Sequence, residues 1–368
     1  MVTFVPDNPL SDEFRCAVSE QLDGFLTQRR DALAGIADGL EPFVRVADGL
    51  TAGGKRLRPA FCVWGYLAAA DAVADPSALL RAAASLDLLH ISALVHDDVM
   101  DGSDTRRGKP SAHRQFAAQH REQVLRGNSD AFGRSAAILL GDLLLIWSAE
   151  MFRRCGLPER AVTAAQPLVE AMRTEVTAGQ FLDIQAQARH PLDARSAPQE
   201  VMDQVRRVVE YKTARYTVIR PLQVGAALAG APEGLLEALA RYGSAVGRAF
   251  QFRDDVLGVY GDEALTGKPA GDDLREGKLT VLVAHAIARA PEAEARLLAD
   301  LLGRADLSSA EVAQARDIIS DSGAVAATED EIAITLAEAL EAVEATPISD
   351  NARPALRVLA RMAVDRVS

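Results

Sequence analysis

Apolar residues recur at three- and four-residue spacing along most of the chain. LLRAAASLDLLHISALV (79–95), AAQPLVEAMRTEVTAGQFLDI (164–184) and VAQARDIISDSGAVAATEDEIAITLAEALEAV (312–343) carry the period of a helix. Ala, Leu, Arg and Glu dominate these runs and favour helix further. No run of alternating β-branched residues lies between turn signals, so strands are not expected. Gly and Pro interrupt the pattern at TAGGKRLRP (51–59), GSDTRRGKP (102–110), RGNSD (126–130), RCGLP (154–158), GAPEG (230–234) and GDEALTGKPAGDD (261–273). None of these breaks reads as a flexible linker. The pattern predicts an all-α protein. Several helices are apolar nearly all round, which predicts a single large bundle over residues 1–368 with a buried central helix.

Composition narrows the function. The 368 residues are 49 % apolar, ample for a core, and the net charge is −12. A broad nucleic-acid surface is therefore not expected, because such a surface must neutralise phosphates. Cys16, Cys62 and Cys155 are far apart and show no zinc spacing, which fits a reducing cytoplasm. The N-terminus MVTFVPDNPLSDEF has neither the basic nor the apolar region of a signal peptide. The most apolar window, SAAILLGDLLLIWSA (135–149), is short for a bilayer and contains Asp142, so it predicts a buried helix.

Four acids and three bases crowd LVHDDVMDGSDTRRGKP (94–110). On a helix Asp97 and Asp101 stack at i and i+4, with Asp98 adjacent. Like charges so placed cost roughly 0.2–0.5 kcal/mol per pair, and a shared cation removes that cost. Hard oxygen donors suit Mg²⁺, which keeps waters and adds substrate phosphate oxygens. One such cluster reads equally well as a solvated helix end. A second cluster changes the balance: Asp254 and Asp255 follow an apolar helix in FQFRDDVL (250–257), with Gln251 one turn earlier. Bases gather as well. GGKRLRP (53–59) sets Lys55, Arg56 and Arg58 between two glycines, which permit close backbone approach, and a proline, which fixes the exit. Arg106 and Arg107 follow the first acids. Lys212, Lys268 and Lys278 lie in YKTARYT, TGKPAGDD and REGKLT. Together they predict two anion sites, one held by metals and lysines, one by Lys and Arg alone. His90 shares a helix face with Asp97, two turns earlier; by itself it reads equally as a core histidine.

In this order the segments resemble the trans-isoprenyl diphosphate synthases, the polyprenyl synthetase family. The similarity runs from about Gly53 to Thr280: GGKRLRP, LLHISALVHDDVMDGSDTRRGKP, AILLGDLLL, GQFLD, YKTARYT, FQFRDDVLG and TGKPAGDDLREGK. The pattern is most like that of geranylgeranyl diphosphate synthases. The resemblance implies an isoprenoid-synthase bundle around a central cavity, a cytoplasmic homodimer, and head-to-tail prenyl transfer. An allylic diphosphate (dimethylallyl, geranyl or farnesyl) ionises, isopentenyl diphosphate attacks the cation, and the departing diphosphate takes the released proton. Asp97, Asp98, Asp101, Asp254 and Asp255 are then the metal ligands, holding about three Mg²⁺ ions on the allylic diphosphate. Arg106, Lys212 and Lys268 contact the same group. Lys55, Arg58, His90, Arg107 and Lys278 bind substrate, the first four of them holding isopentenyl diphosphate without metal. Thr213 and Gln251 turn oxygen dipoles towards the developing carbocation. Gly258 stands where the family's second acidic motif often has a third acid.

In this family the residues upstream of the first motif form the floor under the growing chain. Ala93 and Ser92, four and five positions before Asp97, lie about one turn below it. Both are small, where synthases of the fifteen-carbon product commonly place an aromatic. Leu89 lies a turn deeper. This predicts geranylgeranyl diphosphate as product, with farnesyl or chains of twenty-five carbons or more as alternatives. Rival readings fit less of the sequence. A class I terpene cyclase lacks the second-substrate site. A metal-dependent phosphohydrolase of the His-Asp type needs further ligands, and His90, His96, His113, His120, His190 and His285 form no such pattern. A non-catalytic partner subunit is expected to lose metal ligands, whereas both leading acid pairs are present.

Overall fold

The structure is a computed structural model that describes residues 2–261 and 271–365. Its helices are α1 (Asp12–Ala34), α2 (Glu41–Thr51), α3 (Leu57–Ala69), α4 (Pro76–Met100), α5 (Ala112–Glu122), α6 (Ser129–Arg153), α7 (Glu159–Gln187), α8 (Asp193–Ser196) and α9 (Pro198–Val208). A π-helix, Val209–Ile219, leads into α10 (Arg220–Leu228) and α11 (Glu233–Tyr260). There follow α12 (Asp272–Glu276), α13 (Val281–Arg289), α14 (Glu292–Leu301), α15 (Ser309–Asp321), α16 (Ala324–Ala345) and α17 (Ala352–Val364). The all-α expectation is borne out.

Local chemistry sets where these helices begin. The Ser11, Asp75, Asn128 and Thr280 side chains each accept from a backbone N–H in the first turn of α1, α4, α6 and α13. Pro76 occupies the first turn of α4, where its missing N–H costs nothing. Ser308 and Glu311 form a reciprocal capping box on α15.

The chain divides into two compact units. One comprises Met1–Glu170, Arg220–Glu237 and Pro347–Val358; the other comprises Ala171–Ile219, Ala238–Thr346 and Leu359–Ser368. In the first, α4 packs against α1, α3 and α6, and α3 packs against α10. α4 is buried over most of its length, with Ala82 to Leu89 enclosed without a break, as a central helix requires. In the second, α13 is the central element, packed by α8, α9, α14, α15 and α16. Its Val281, Leu282, Val283, Ala286 and Ile287 are buried in one apolar cluster.

Three details depart from the sequence reading. Thr105–Arg106 and Lys109–Pro110 pair as a minimal antiparallel hairpin across the GSDTRRGKP break. Strands of two residues are too short to show an alternating pattern. The apolar window of α6 belongs to a 25-residue helix, of which the most apolar 18 residues are 50 % buried rather than enclosed. α4 and α6 are both long and apolar enough to cross a membrane, but the apolar window of α4 is 78 % buried within the protein. Residues 209–219 form a π-helix, a rare geometry frequently found at functional sites. The Arg215 Nε–Glu210 Oε1 bond of 3.1 Å spans five residues, in keeping with the wider turn.

Candidate active site

In the first unit the acids gather at the C-terminus of α4, with Asp97 and Asp98 in its last turn and Asp101 as its cap. The helix dipole is negative there, so three carboxylates at this end are unfavourable without a cation. Arg106, on the hairpin, supplies one. Its Nε donates to Asp98 Oδ1 at 2.9 Å, and its Nη2 reaches both Asp98 and Asp97 Oδ2, the latter at 3.4 Å. Asp98 is buried behind this pairing, while Asp97 and Asp101 remain part-exposed on the same face.

The bases of this unit lie close by. Gly53, Gly54 and Arg56 all have positive φ, a tight turn that only the two glycines adopt without strain. Arg56 is buried and holds the turn in place. It donates to Asp87 Oδ2 at 2.8 Å, to the Thr51 carbonyl at 2.7 Å and to the Ser19 hydroxyl at 2.9 Å. Lys55 is exposed and Arg58 is buried. The Arg107 guanidinium lies against Gly54, 3.3 Å from where a side-chain carbon would stand. His90 is half-buried. Desolvation, followed by the fields of Arg58, Arg107, Arg106 and Arg56, holds His90 well below the usual histidine range. Burial likewise lowers Arg107, opposed by Asp87. Arg58 and Arg107, with Arg56 and Arg106 whose charges are partly met by Asp87, Asp97 and Asp98, put positive potential at a histidine kept neutral, which suits an anion. The sequence assigns Lys55, Arg58, His90 and Arg107 to one anion site and Arg106 to the other; it does not show the bracing by Arg56 and Asp87, because nothing local links positions 56 and 87.

The second unit builds its part on the π-helix and on α11. Lys212 Nζ meets Asp183 Oδ2 at 2.6 Å, and Gln187 Nε2 donates to the same oxygen at 3.2 Å. Thr213 Oγ1 donates to Gln251 Oε1 at 2.5 Å, and Gln251 Nε2 donates to Asp255 Oδ1 at 2.8 Å. The chain Thr213–Gln251–Asp255 thus fixes the second acid of the FQFRDDVL motif. Asp255 is buried and Asp254 half-buried. Desolvation, reinforced by Asp273 and Asp254 and opposed by hydrogen bonds from Gln251 and the Val281 backbone, pushes the Asp255 carboxyl up to about 8. Two glycines make this assembly possible. A side-chain carbon at Gly179 on α7 would lie 2.4 Å from the Lys212 backbone nitrogen, and one at Gly247 on α11 would lie 2.4 Å from Ala214 Cα.

Lys278 is held by acids of its own segment: Nζ contacts Glu276 and lies 3.7 Å from Asp273 Oδ1. Lys268 lies outside the described residues. Asp183 and Asp273 contact the candidate site residues Lys212 and Lys278; the sequence does not single them out, although both lie inside quoted motifs. Of the residues under the first motif, Leu89 is buried, and buried Ser92 donates to the Gly141 carbonyl of α6 at 2.7 Å. Ala93 is part-exposed on the same α4 face as His90 and Asp97.

Among the described residues no group of three or more His, Cys, Asp or Glu is gathered tightly enough to hold a metal alone. Paired aspartates at helix C-termini nonetheless fit Mg²⁺, which completes its octahedron with water and phosphate oxygens rather than with a closed protein cage.

The family model for polyprenyl synthetases matches residues 41–319. The chain belongs to this family. It is 34 % identical over 273 residues to a short chain isoprenyl diphosphate synthase of Methanocaldococcus jannaschii, covering 74 % of each protein. It is 31 % identical over 274 residues to a geranylgeranyl diphosphate synthase of Methanosarcina mazei, again covering 74 % of each. Among solved structures, geranylgeranyl pyrophosphate synthase from Corynebacterium glutamicum, complexed with isoprenyl diphosphate and magnesium, matches with a TM-score of 0.90 and 38 % identity. That match covers 96 % of this chain and 99 % of the other. This polyprenyl synthetase is therefore a prenyltransferase of the chain-elongating type with the all-α isoprenoid synthase fold, and its family uses a divalent metal.

Proposed function

We propose that this prenyltransferase condenses isopentenyl diphosphate with an allylic diphosphate to make geranylgeranyl diphosphate. The observation that carries the site assignment is the placing of two aspartate pairs late in long helices, Asp97 and Asp98 in the last turn of α4 and Asp254 and Asp255 in the second-last turn of α11, where adjacent carboxylates favour a bound cation. Asp97, Asp98, Asp101, Asp254 and Asp255 would hold Mg²⁺, about three ions by family resemblance. The metal would neutralise charge on the departing diphosphate, which is what makes it able to leave. Lys212, Lys268 and Arg106 add positive charge to the same group. Arg106 does so from a position in which it also orients Asp97 and Asp98. Lys55, Arg58, His90 and Arg107 hold isopentenyl diphosphate directly. Lys278, engaged by Glu276 and Asp273, supports the allylic side through those acids. Thr213 and Gln251, joined by their hydrogen bond, would turn oxygen dipoles towards positive charge that develops on the allyl group.

Product length rests on Ala93, whose small side chain leaves its part-exposed position open, and on Leu89 below it. Likeness to two geranylgeranyl diphosphate synthases supports the same product. We take residues 1–368 as one synthase domain, since the family match runs through segments of both units. A homodimer is supported by α6, which exposes Phe132, Leu139 and Ile146 at seven-residue intervals, with Ile138 beside them. The three cysteines are free thiols, which suits a cytoplasmic enzyme.

Incubation with Mg²⁺, isopentenyl diphosphate and each allylic primer, followed by chromatography of the dephosphorylated alcohols, tests the reading. The expected result is a dominant twenty-carbon alcohol. A ladder beyond twenty-five carbons would replace the product assignment, and no elongation with any primer would overturn the reading. Asp97→Ala is expected to lower turnover by orders of magnitude and to leave the helical circular dichroism unchanged.

A further inference from the structure

We propose that Asp273 supplies the third carboxylate of the second acidic set, in the space that Gly258 leaves open, and faces the same metal-bound diphosphate as Asp254 and Asp255. The inference rests on the reading of Asp254 and Asp255 as metal ligands. Position 258 is one helical turn beyond Asp254, so a side chain there would leave α11 on the face that carries Asp254. It has no side chain. A carbon built at that place would lie 1.9 Å from Asp273 Oδ2, 2.4 Å from Asp273 Cγ and 3.1 Å from Asp273 Oδ1. No side chain fits at 258 while the Asp273 carboxylate is where it is. The acid that the motif lacks in sequence is thus replaced in space by one from α12, fifteen positions later.

Asp273 is held in that place by its own segment. Its carbonyl accepts from the Lys278 backbone N–H at 3.0 Å, and Lys278 Nζ lies 3.7 Å from Oδ1. That ammonium is shared with Glu276. A further carboxylate beside Asp254 and Asp255, late in a 28-residue helix, adds a like-charge cost at Asp255. A divalent cation removes it. The glycine and the aspartate therefore form a matched pair. Restoring an acid at 258 alone would expel the one already present.

The test uses the full-length protein and measures Mg²⁺-dependent binding of inorganic diphosphate by calorimetry, with melting temperature recorded without metal. Asp255→Asn is expected to lose most of the Mg²⁺ dependence, which checks the parent reading. Asp273→Asn, isosteric and uncharged, is expected to weaken binding about tenfold or more and to leave metal-free melting unchanged or raised. Gly258→Ala should reproduce that loss by displacing the carboxylate, and should add nothing to Asp273→Asn when the two are combined. Gly258→Asp alone should impair binding, and Gly258→Asp with Asp273→Gly should recover it. If Asp255→Asn is impaired while Asp273→Asn binds within about twofold of wild type, Asp273 is a structural partner of Lys278 and the proposal is overturned. If Asp255→Asn also binds normally, the metal reading of the second motif fails instead. Should Gly258→Ala not fold, Asp273→Asn decides alone.

Discussion

Asp255 and His90 are both kept uncharged near neutral pH, by the same desolvation acting on opposite chemistries. The Asp255 carboxyl, raised to about 8, holds its proton until a cation displaces it. Between the ordinary carboxylate range and pH 8 the folded state binds a proton that the unfolded state does not. This contribution to stability is therefore complete in acid and is lost as pH rises towards 8. Metal binding runs the other way, because it needs the ionised form. Apparent Mg²⁺ affinity, measured with inorganic diphosphate, should rise from pH 6 to 8 and level off above; Asp255→Asn should flatten the profile. A wild-type affinity independent of pH would contradict the assignment. His90 is held low by burial and by arginines. Below the usual histidine range the unfolded state is protonated while folded His90 is not, so its contribution to stability falls as pH drops through that range. An anion bound beside it favours the protonated form, so isopentenyl diphosphate should be bound with uptake of a proton.

Arg56 and Asp87 matter at the same scale for a different reason. Their ion pair is buried, with side chains 3 % and 6 % exposed. Removing one partner leaves an uncompensated buried charge, which typically costs about 3–5 kcal/mol. Asp87→Ala should lower urea stability by that order. It should also raise KM for isopentenyl diphosphate, since the turn that carries Lys55 and Arg58 loses its brace.

Between elements, the decisive contacts are those that set how closely two helices approach. Gly247 lets α11 lie on the π-helix at Ala214, next to the residue that bonds Gln251. Gly247→Ala should cost about 1–3 kcal/mol by overpacking. It should also lower kcat, because the Thr213–Gln251–Asp255 chain is stretched. A stability loss with unchanged kcat would separate the packing from the chemistry. Helix contacts also decide where an aromatic ring can close the floor under Asp97. Ser92 is spent on the Gly141 carbonyl, so Ser92→Phe drives a ring into α6. Ala93, part-exposed, is the better position: Ala93→Phe should shorten the product towards fifteen carbons at little cost in stability, and an unchanged product would remove Ala93 from the floor.

For the molecule as a whole, the apolar stripe on α6 is the feature with a consequence. A stripe of Phe132, Leu139 and Ile146 with Ile138 on one helix is unfavourable in water. Light scattering should give twice the chain mass of 39.3 kDa. Leu139→Arg should shift it towards the monomer, and a monomeric wild type would rule the dimer out.

The sequence by itself determined the helical class, the acid pairs and most of the bases. Helical periodicity, i to i+4 spacing and the clustering of bases beside Gly and Pro are local properties, written in neighbouring positions. It also identified Gly258 as a departure from the family's motif. Tertiary structure alone decided what replaces the missing acid, which of the small residues under Asp97 is open, and how Lys212, Thr213 and Arg56 are held. Those depend on contacts between positions 15 to 49 residues apart, such as Gly258 with Asp273, Lys212 with Asp183, Arg56 with Asp87, Thr213 with Gln251 and Ser92 with Gly141. Periodicity has no memory at that distance; which side chains meet there is settled by how closely two backbones can pack, and so by the glycines that let them approach.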